Sequence, residues 1–356
     1  MSMRILILVV MSLVSCQLLP GNSVFGQSEA WQMQATGVDA SLRGLCVVGK
    51  NVAWSSGTAG TVIKTTNGGQ SWQNVSVDGA KELDFRDVHA FNAESAIVMS
   101  AGQPARIYKT IDGGETWKQV FEHPDEKSFF DAISFWDKKH GIAMSDPIAG
   151  HVLLIETKDG GDTWTELEIT RRPKVMRGEG GFAASGTNMI VFGDHCLIAL
   201  GSGEKDQEEK QSRILLSSDR GKSWQHAMVP MPRNLSSGIF SLAFSGSTRG
   251  IAVGGNYLKQ EIVDGNIAIT RDAGRTWHKP DGKPPRGYRS AVAYIENKDA
   301  MRLIAVGPSG TDVSTDGGEN WQAASETGFH AVAFTIDGTA GWTSGSEGRI
   351  GKWIFK

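Results

Sequence analysis

The stretch Thr110-Ile111-Asp112-Gly113-Gly114-Glu115-Thr116-Trp117 decides the fold, because its pattern returns along the chain. A hydroxyl residue is followed after two positions by Asp, after two more by Gly, after two more by a small polar residue, and then by Trp. Five further segments fit this box: Thr65–Trp72, Thr157–Trp164, Ser217–Trp224, Thr270–Trp277 and Ser314–Trp321. Six copies exceed chance, so the chain is predicted to consist of repeats.

The spacing of the boxes predicts what the repeating unit is. Successive box Trp residues are 45, 47, 60, 53 and 44 residues apart, and periods of about 40 to 50 residues suit one four-stranded blade of a β-propeller. The composition agrees, since 44 of the 356 residues are Gly and short strands joined by Gly-rich turns favour an all-β chain.

The number of blades follows from a second recurring element, an inner-strand candidate upstream of each box. Seven segments qualify: Leu42–Val48, Phe85–Phe91, Phe129–Phe135, Gly181–Ser185, Ile239–Phe244, Tyr288–Tyr294 and Phe329–Phe334. The seventh repeat stops before its last strand, and Trp31–Gly37 looks like the segment that follows a box. We therefore predict an all-β, seven-bladed propeller of four-stranded blades, closed by the N-terminal strand.

The box carboxylates are predicted to be structural. Each precedes a Gly-containing turn, where a short carboxylate can accept backbone N–H bonds and Gly can adopt a positive φ. These residues are Asp112, Asp159, Asp219, Asp272 and Asp316, with Asn67 in the place of Asp in the first box. The box Trp residues are expected to bury their rings against neighbouring sheets.

The boxes resemble the Asp-box, also called the bacterial neuraminidase repeat. Beyond them, stretches such as Phe85-Arg86-Asp87-Val88, Gly178–Thr187 and Gly254-Gly255-Asn256-Tyr257 make the chain similar to propellers of the photosystem II stability and assembly factor-like group. This resemblance implies the propeller fold. It also implies a role in binding other proteins during assembly, although a fold alone does not determine a function.

Residues 1–26 are predicted to form a signal peptide, which leaves 27–356 as a single propeller domain. Arg4 precedes the apolar stretch Ile5–Val14, which is shorter than the ~20 residues of a membrane-spanning helix. Val24-Phe25-Gly26 has the spacing of an ordinary cleavage site, whereas Leu13-Val14-Ser15-Cys16 resembles a lipobox in which Cys16 is lipidated. Both alternatives predict an exported protein, periplasmic or secreted, with a lipid anchor only in the second.

A binding surface is predicted at the mouth of the propeller. Arg43, Arg86 and Arg289 fall at one register of three inner-strand candidates, and Arg106 and Glu179 are expected nearby. A local basic patch implies a protein or an anionic ligand as partner. In the alternative interpretation, these arginines are paired internally with acids such as Asp312.

The overall charge sets limits on the partner. The chain has 36 basic and 39 acidic residues, a net charge of -3, so its bulk charge gives no reason to expect a nucleic acid. We expect a monomer whose only contact with a membrane would be the anchor at Cys16.

The rival function is a glycoside hydrolase that uses the same mouth. Sialidase-like chemistry needs three arginines around a carboxylate, a Tyr nucleophile activated by Glu, and an Asp acid/base. Glu179 and Asp87 could serve beside the arginines, but no Tyr is well placed, so no catalytic residue is assigned. The eight His residues show no paired ligand spacing, and neither a metal nor a cofactor is predicted. The sequence favours a non-enzymatic binding protein, with a sialidase-like hydrolase as the alternative.

Overall fold

The computed structural model describes residues 30–202, 211–297 and 300–355. The predicted signal peptide, including Cys16, lies outside these residues. In chain order the strands begin with β1 (Trp31–Gln34), β2 (Leu42–Gly49), β3 (Val52–Gly57), β4 (Val62–Thr65), β5 (Gln73–Asn74), β6 (Asp84–Ala90), β7 (Ala96–Ala101), β8 (Arg106–Thr110) and β9 (Lys118–Glu122). They continue with β10 (Phe130–Phe135), β11 (Gly141–Ile148), β12 (His151–Thr157), β13 (Thr165–Glu166), β14 (Met189–Phe192), β15 (His195–Leu200), β16 (Gln211–Ser217) and β17 (Gln225–Pro232). The last are β18 (Ser237–Ser245), β19 (Arg249–Asn256), β20 (Ile267–Thr270), β21 (Ala291–Asn297), β22 (Ala300–Gly307), β23 (Gly310–Ser314), β24 (Gln322–Ser325), β25 (Ala331–Phe334), β26 (Gly341–Ser344) and β27 (Ile350–Trp353).

Within the described ranges these strands form seven antiparallel sheets, each of which is one blade. Blades one to four are β2–β5, β6–β9, β10–β13 and β14–β17; blade six is β21–β24, and blade seven joins β25–β27 to β1. Blade five contains β18–β20, and its fourth position is a single bridge between Ile269 and His278. A 3₁₀ turn spans Ile169–Arg171. The prediction of a seven-bladed propeller is confirmed.

The N-terminal strand closes the ring, as the sequence predicts. β1 pairs antiparallel with β27, so that Trp31 lies opposite Trp353 and Gln34 lies opposite Ile350. The buried Trp31 also donates its Nε1 hydrogen to Thr311 Oγ1 of blade six, at 2.9 Å. Closure of this kind leaves no open sheet edge in the ring.

Each box begins at the end of the third strand of a blade and forms the turn that follows it. In the second box, Asp112 accepts hydrogen bonds from the Thr110 hydroxyl at 2.8 Å and from the Thr116 amide at 3.0 Å. These bonds, together with one from the Thr116 hydroxyl, lower the pKa of Asp112 to about 2. Asn67 holds the first box in the same way, through Thr65 and Ser71. The box side chains therefore complete a turn rather than line a site.

The box Trp side chains pack between blades, although to different degrees. Trp321 is 1% exposed and lies in a core cluster with Val253 of blade five and Leu303 of blade six. Trp117 remains half-buried, with its Nε1 donating to Val75 O at 2.8 Å. Since each ring joins one blade to the next, the boxes stabilise the ring as well as their own turns.

One predicted inner strand is misplaced. The inner strand of blade four is β14, Met189–Phe192, whereas Gly181–Ser185 lies outside any strand. The reason is that the backbone and side chains around Gly181–Ser185 bond to other blades: the Gly181 amide donates to Asp146, and the Ser185 hydroxyl donates to Ser290 O.

Candidate functional site

A β-bulge near the start of several inner strands changes the direction of one side chain in each. In β2, β6, β10 and β18 the register skips one residue, namely Arg43, Arg86, Asp131 and Phe240. His330 holds the same position before β25, since its amide donates to Ser344 O and Ser344 is the partner of Ala331. A bulge turns the extra side chain out of the regular alternation.

Arg289 does not share this register. In blade six the bulged residue is Ser290, whose amide donates to Val306 O, and Val306 is the partner of Ala291. Arg289 stands one residue earlier, at the position of Phe85, and both side chains are fully buried. The expected convergence of three arginines at the mouth is therefore reduced to two.

The Arg289 guanidinium belongs to a buried ion pair. Its Nε donates to Asp312 Oδ2 at 2.8 Å, Nη2 donates to the same oxygen, and Nη1 donates to Tyr288 O at 2.8 Å and to Ser309 Oγ at 3.0 Å. Burial lowers the pKa of Arg289, which Asp312 opposes. Arg289 is therefore paired internally with Asp312, as the alternative interpretation of the sequence predicts.

Glu179 and Arg106 also lie away from the mouth. Glu179 is buried and accepts hydrogen bonds from Arg213 Nε at 2.6 Å and from the Met176 amide at 2.7 Å. Arg106 lies on β8, the third strand of its blade, and pairs with Glu122 of β9 at 2.8 Å. Neither residue lines the cavity to which Arg43 and Arg86 contribute.

The structure brings Arg43 and Arg86 together in one cavity of about 490 Å³, which we call the mouth pocket. Four aromatic residues line it as well: Phe182, Phe240, Tyr257 and Tyr288. The remaining lining residues are Ala183, Ala184, Gln260, Pro308 and His330. Among the described residues that line the pocket, none is an Asp or a Glu. The mouth pocket therefore combines two guanidinium groups with four aromatic rings, which we call its aromatic side.

The two arginines of the pocket differ in their partners. Arg86 donates from Nε to Asp84 Oδ2 at 2.8 Å and from Nη1 to Ala183 O at 3.2 Å. Arg43 is half-buried, and no carboxylate in the described part of the chain lies within ion-pair distance of it. Burial, followed by the positive charge of Arg86, lowers the pKa of Arg43. Arg43 is thus a partly desolvated cation that lacks a paired counterion.

His330 adds no charge to the pocket at neutral pH. Its Nε2 lies 3.0 Å from Ser346 Oγ and 3.3 Å from Ser41 Oγ. Burial and the nearby Arg43 lower the pKa of His330 to about 4. The imidazole is therefore neutral at pH 7, and the positive charge of the mouth pocket comes from the arginines.

The segment Gly181–Asn188, which we call the crossing segment, contributes Phe182, Ala183 and Ala184 to the lining of the mouth pocket. Besides Ala183, which accepts from Arg86 of blade two, it includes Thr187, whose carbonyl accepts from Leu242 of blade five at 2.8 Å. With the bond from Ser185 to Ser290 of blade six, it connects blades on opposite parts of the ring. Sequence reasoning missed this role because the small residues of the segment resemble an inner strand.

Three carboxylates lie against the crossing segment: Asp87 and Asp131 are buried, and Asp146 is half-buried. Burial raises the pKa of Asp87 to about 7 and that of Asp146 to about 6. It also raises the pKa of Asp131, with a further increase from the charge of Asp146. Among the described groups, neither oxygen of Asp131 and neither polar atom of the Asn188 amide has a hydrogen-bond partner. These acids are unusually ready to keep their protons near neutral pH.

The described ranges contain no group of three or more His, Cys, Asp or Glu side chains that could hold a metal ion. They also contain no helix that is long and apolar enough to cross a membrane.

Fold and site together define a seven-bladed Asp-box propeller with a cationic, aromatic-lined mouth. The family model for the photosynthesis system II assembly factor YCF48 matches residues 24–125, which include β1 and blades one and two, and the model for the BNR/Asp-box repeat matches residues 312–323 in the sixth box. The resemblance to Asp-box propellers of the photosystem II assembly factor-like group is thereby confirmed. No curated protein matches the chain in sequence.

Solved structures of the same architecture cover nearly the whole chain. "YCF48 bound to D1 peptide" is 18% identical with a TM-score of 0.62, over 92% of this chain and 96% of that one. YCF48 from Cyanidioschyzon merolae is 16% identical with a TM-score of 0.62, over 91% and 98%. A GH74 xyloglucanase from Xanthomonas campestris is 14% identical with a TM-score of 0.58, over 90% of this chain but 53% of the enzyme. At these identities the likeness shows the fold alone.

Proposed function

We propose that this protein is an exported, non-enzymatic propeller that holds an acidic segment of a partner protein in its mouth pocket, in the manner of an assembly factor. The observation that carries the proposal is the state of Arg43, a half-buried guanidinium without a paired carboxylate. A carboxylate that reached it could form a bidentate, charge-assisted pair. Arg86, although bonded to Asp84, would add to the positive potential.

The comparisons support a protein as the partner. A YCF48 structure contains a bound D1 peptide, and the family model named after this assembly factor matches the part of the chain that contains both pocket arginines. A segment of a protein is therefore a better candidate for the acidic ligand than a small anion.

The position of the charged residues disfavours the glycoside hydrolase. Arg289 and Glu179, two members of the sialidase-like set, are committed to Asp312 and Arg213. A carboxylate pair, which other glycosidases use, is not found among the described lining residues of the pocket. The xyloglucanase shares the fold, which hosts unrelated functions.

Binding of an acidic peptide tests the proposal. A fluorescein-labelled peptide that contains Asp and a free C-terminal carboxylate is titrated with the protein, and its anisotropy is measured. We expect Arg43→Met to weaken binding at least about tenfold, as for the loss of a charge-assisted pair. Arg106→Met is the matched control, because it removes an equal charge outside the pocket.

Two results would overturn the proposal. The first is equal loss of binding in the Arg43 and Arg106 variants, which would indicate nonspecific attraction. The second is turnover in a screen of aryl glycosides that includes sialosides, abolished by Arg43→Met, which would favour the hydrolase.

Export is supported by the sequence of residues 1–26, with its apolar stretch and two cleavage signals. Intact mass of the protein purified from its native envelope distinguishes the alternatives. A chain that begins at Gln27 indicates ordinary cleavage, and a lipid-modified Cys16 indicates an anchored protein. An uncleaved chain in the cytoplasm would contradict export.

A further inference from the structure

We infer that the bound segment carries a large apolar side chain next to its carboxylate, and that the aromatic side of the mouth pocket binds this side chain. The inference rests on the proposed function, since it names the class of partner for the same pocket. It concerns the aromatic rings of the pocket lining, to which binding of a carboxylate by the arginines assigns no role. These rings belong to Phe182, Phe240, Tyr257 and Tyr288.

The position of Phe240 is the first argument. Phe240 occupies the bulge of its inner strand, where other blades have Arg43, Arg86, Ser290 and His330. A bulged side chain leaves the regular alternation of its strand, so the alternating packing of the blade does not require an aromatic residue there. An apolar residue at a mouth-facing position is explained by an apolar neighbour, either from the protein or from a ligand.

The protein supplies this neighbour for Phe240 and Tyr288, which are 3% and 5% exposed, but leaves Phe182 half-buried and Tyr257 exposed. Phe182 of the crossing segment stacks on Phe240 with ring centroids 4.0 Å apart, and Tyr288 meets Phe240 edge to face at 4.7 Å. Tyr257 meets both Phe rings at 6.2 Å and remains 39% exposed. The accessible apolar surface of the ring cluster is therefore that of Phe182 and Tyr257, which line the same pocket as the two arginines.

The rim beyond the pocket continues the apolar surface. Tyr257 begins the connection between β19 and β20, and the next residue, Leu258, is 71% exposed. Ile262 and Val263 on the same connection are exposed as well. Exposed large apolar residues grouped on one connection are typical of interaction sites.

Charge and size together specify one occupant, an extended peptide with an acidic group and an adjacent large apolar residue. The arginines favour the carboxylate, and the aromatic side gains from covering apolar surface. A cavity of about 490 Å³ is in the range that suits one such pair of groups. A purely acidic segment would leave the rings exposed to water, whereas a purely apolar one would leave Arg43 without a partner.

The test compares three labelled peptides with the same charge. They share one Asp and a free C-terminal carboxylate, and the residue between these groups is Leu, Phe or Ser. We expect the Leu and Phe peptides to bind about tenfold more tightly than the Ser peptide, as follows from burying one large apolar side chain. Phe182→Ala and Tyr257→Ala should each reduce this preference to about threefold or less, while the dependence of binding on Arg43 remains.

Controls separate this inference from the function on which it rests. Ile336→Ala removes a side chain that is 92% exposed and distant from the pocket lining, so the preference should persist. If all three peptides bind equally and in an Arg43-dependent way, the inference fails and the proposed function stands. If none binds, the proposed function itself fails.

Other occupants of the apolar rim would also be detected. Sedimentation that shows a dimer lost on Leu258→Ser would assign the surface to a second copy of the chain and overturn the inference. The inference would also be overturned if the protein bound phosphatidylglycerol vesicles, if Leu258→Ser abolished this binding, and if the three peptides bound equally. If Phe182→Ala unfolds the protein, the Tyr257→Ala variant alone tests the inference. The Tyr257 side chain is 39% exposed, so its removal should leave the protein folded.

Discussion

Arg86 and Arg289 each follow an aromatic residue at the start of an inner strand, yet they occupy positions one residue apart in the blade register. Arg86 is the bulged residue and lines the mouth pocket, whereas Arg289 takes the core position that Phe85 holds in blade two. A shift of one residue moves a side chain to the other face of a strand. Two similar tetrapeptides thereby place a guanidinium in the partly exposed mouth pocket in one blade and in the core in the other.

Arg289→Ala should destabilise the protein strongly, by about 3 to 5 kcal/mol, because it leaves Asp312 partly unpaired in the core. Because Arg286 still pairs with Asp312 in this variant, we expect a loss of stability near the lower end of this range. Arg86→Ala should cost less than about 1 kcal/mol, as is usual for a partly exposed pair. Urea denaturation measures both, and equal small costs would contradict the buried pair.

Trp321→Ala should lower the free energy of unfolding by about 3 to 5 kcal/mol, since it removes a fully buried ring between blades five and six. Trp117→Ala should cost less because its ring is half-buried. Thermal and urea denaturation of the two variants provide the comparison. The packing argument would be wrong if the Trp117 variant were the less stable one.

The buried carboxylates should lower stability as the pH rises from about 4 to about 7, whereas His89 and His330, whose pKa burial lowers to about 4, should raise it over the same range. Burial raises the pKa of Asp87 to about 7 and that of Asp146 to about 6, so in this window these carboxylates bind more protons in the folded state than in the unfolded state, in which the pKa is about 3.9. Above about pH 7 the contribution of Asp87 becomes constant. The decline due to the carboxylates is measured as the change with pH, from 4 to 8, in the difference between the denaturation midpoints of the protein and of a carboxylate variant.

Asp87→Asn should flatten part of this decline, because the Asn side chain does not titrate. Asp112→Asn is the control: the pKa of Asp112 is lowered to about 2, so its contribution is gained below pH 4, outside the window. An unchanged slope in the Asp87 variant would show that another group causes the pH dependence.

Gly186→Ala should disrupt the crossing segment. Gly186 has φ +73°, and a Cβ there would lie 2.2 Å from Asp87 Cγ. Gly37 has the same φ with no atom within 4 Å of its Cβ position, so Gly37→Ala isolates the backbone strain of about 1 to 3 kcal/mol. We expect Gly186→Ala to be the more destabilising change and to weaken peptide binding at the mouth pocket; equal effects would contradict the close contact.

Local pattern was sufficient for the repeat and the closure of the ring. The box at Thr110–Trp117 contains every partner that its turn needs, from the Thr110 hydroxyl to the Thr116 amide, so its structure can be inferred from eight consecutive residues. The strand count and the role of Trp31–Gln34 followed from repetition of such local units. Those predictions required no knowledge of contacts between blades.

The site depended on contacts between residues far apart in the chain. Whether an Arg faces the mouth or the core depends on a bulge, and the bulge depends on pairing with the next strand, as Ser290 with Val306 shows. The crossing segment takes its position from bonds to blades two, five and six, and the pocket joins Arg43 to Tyr288 across the ring. Strand register and the filling of the channel by the crossing segment depend on contacts between strands and between blades. No single repeat contains both partners of all these contacts, so local pattern does not predict them.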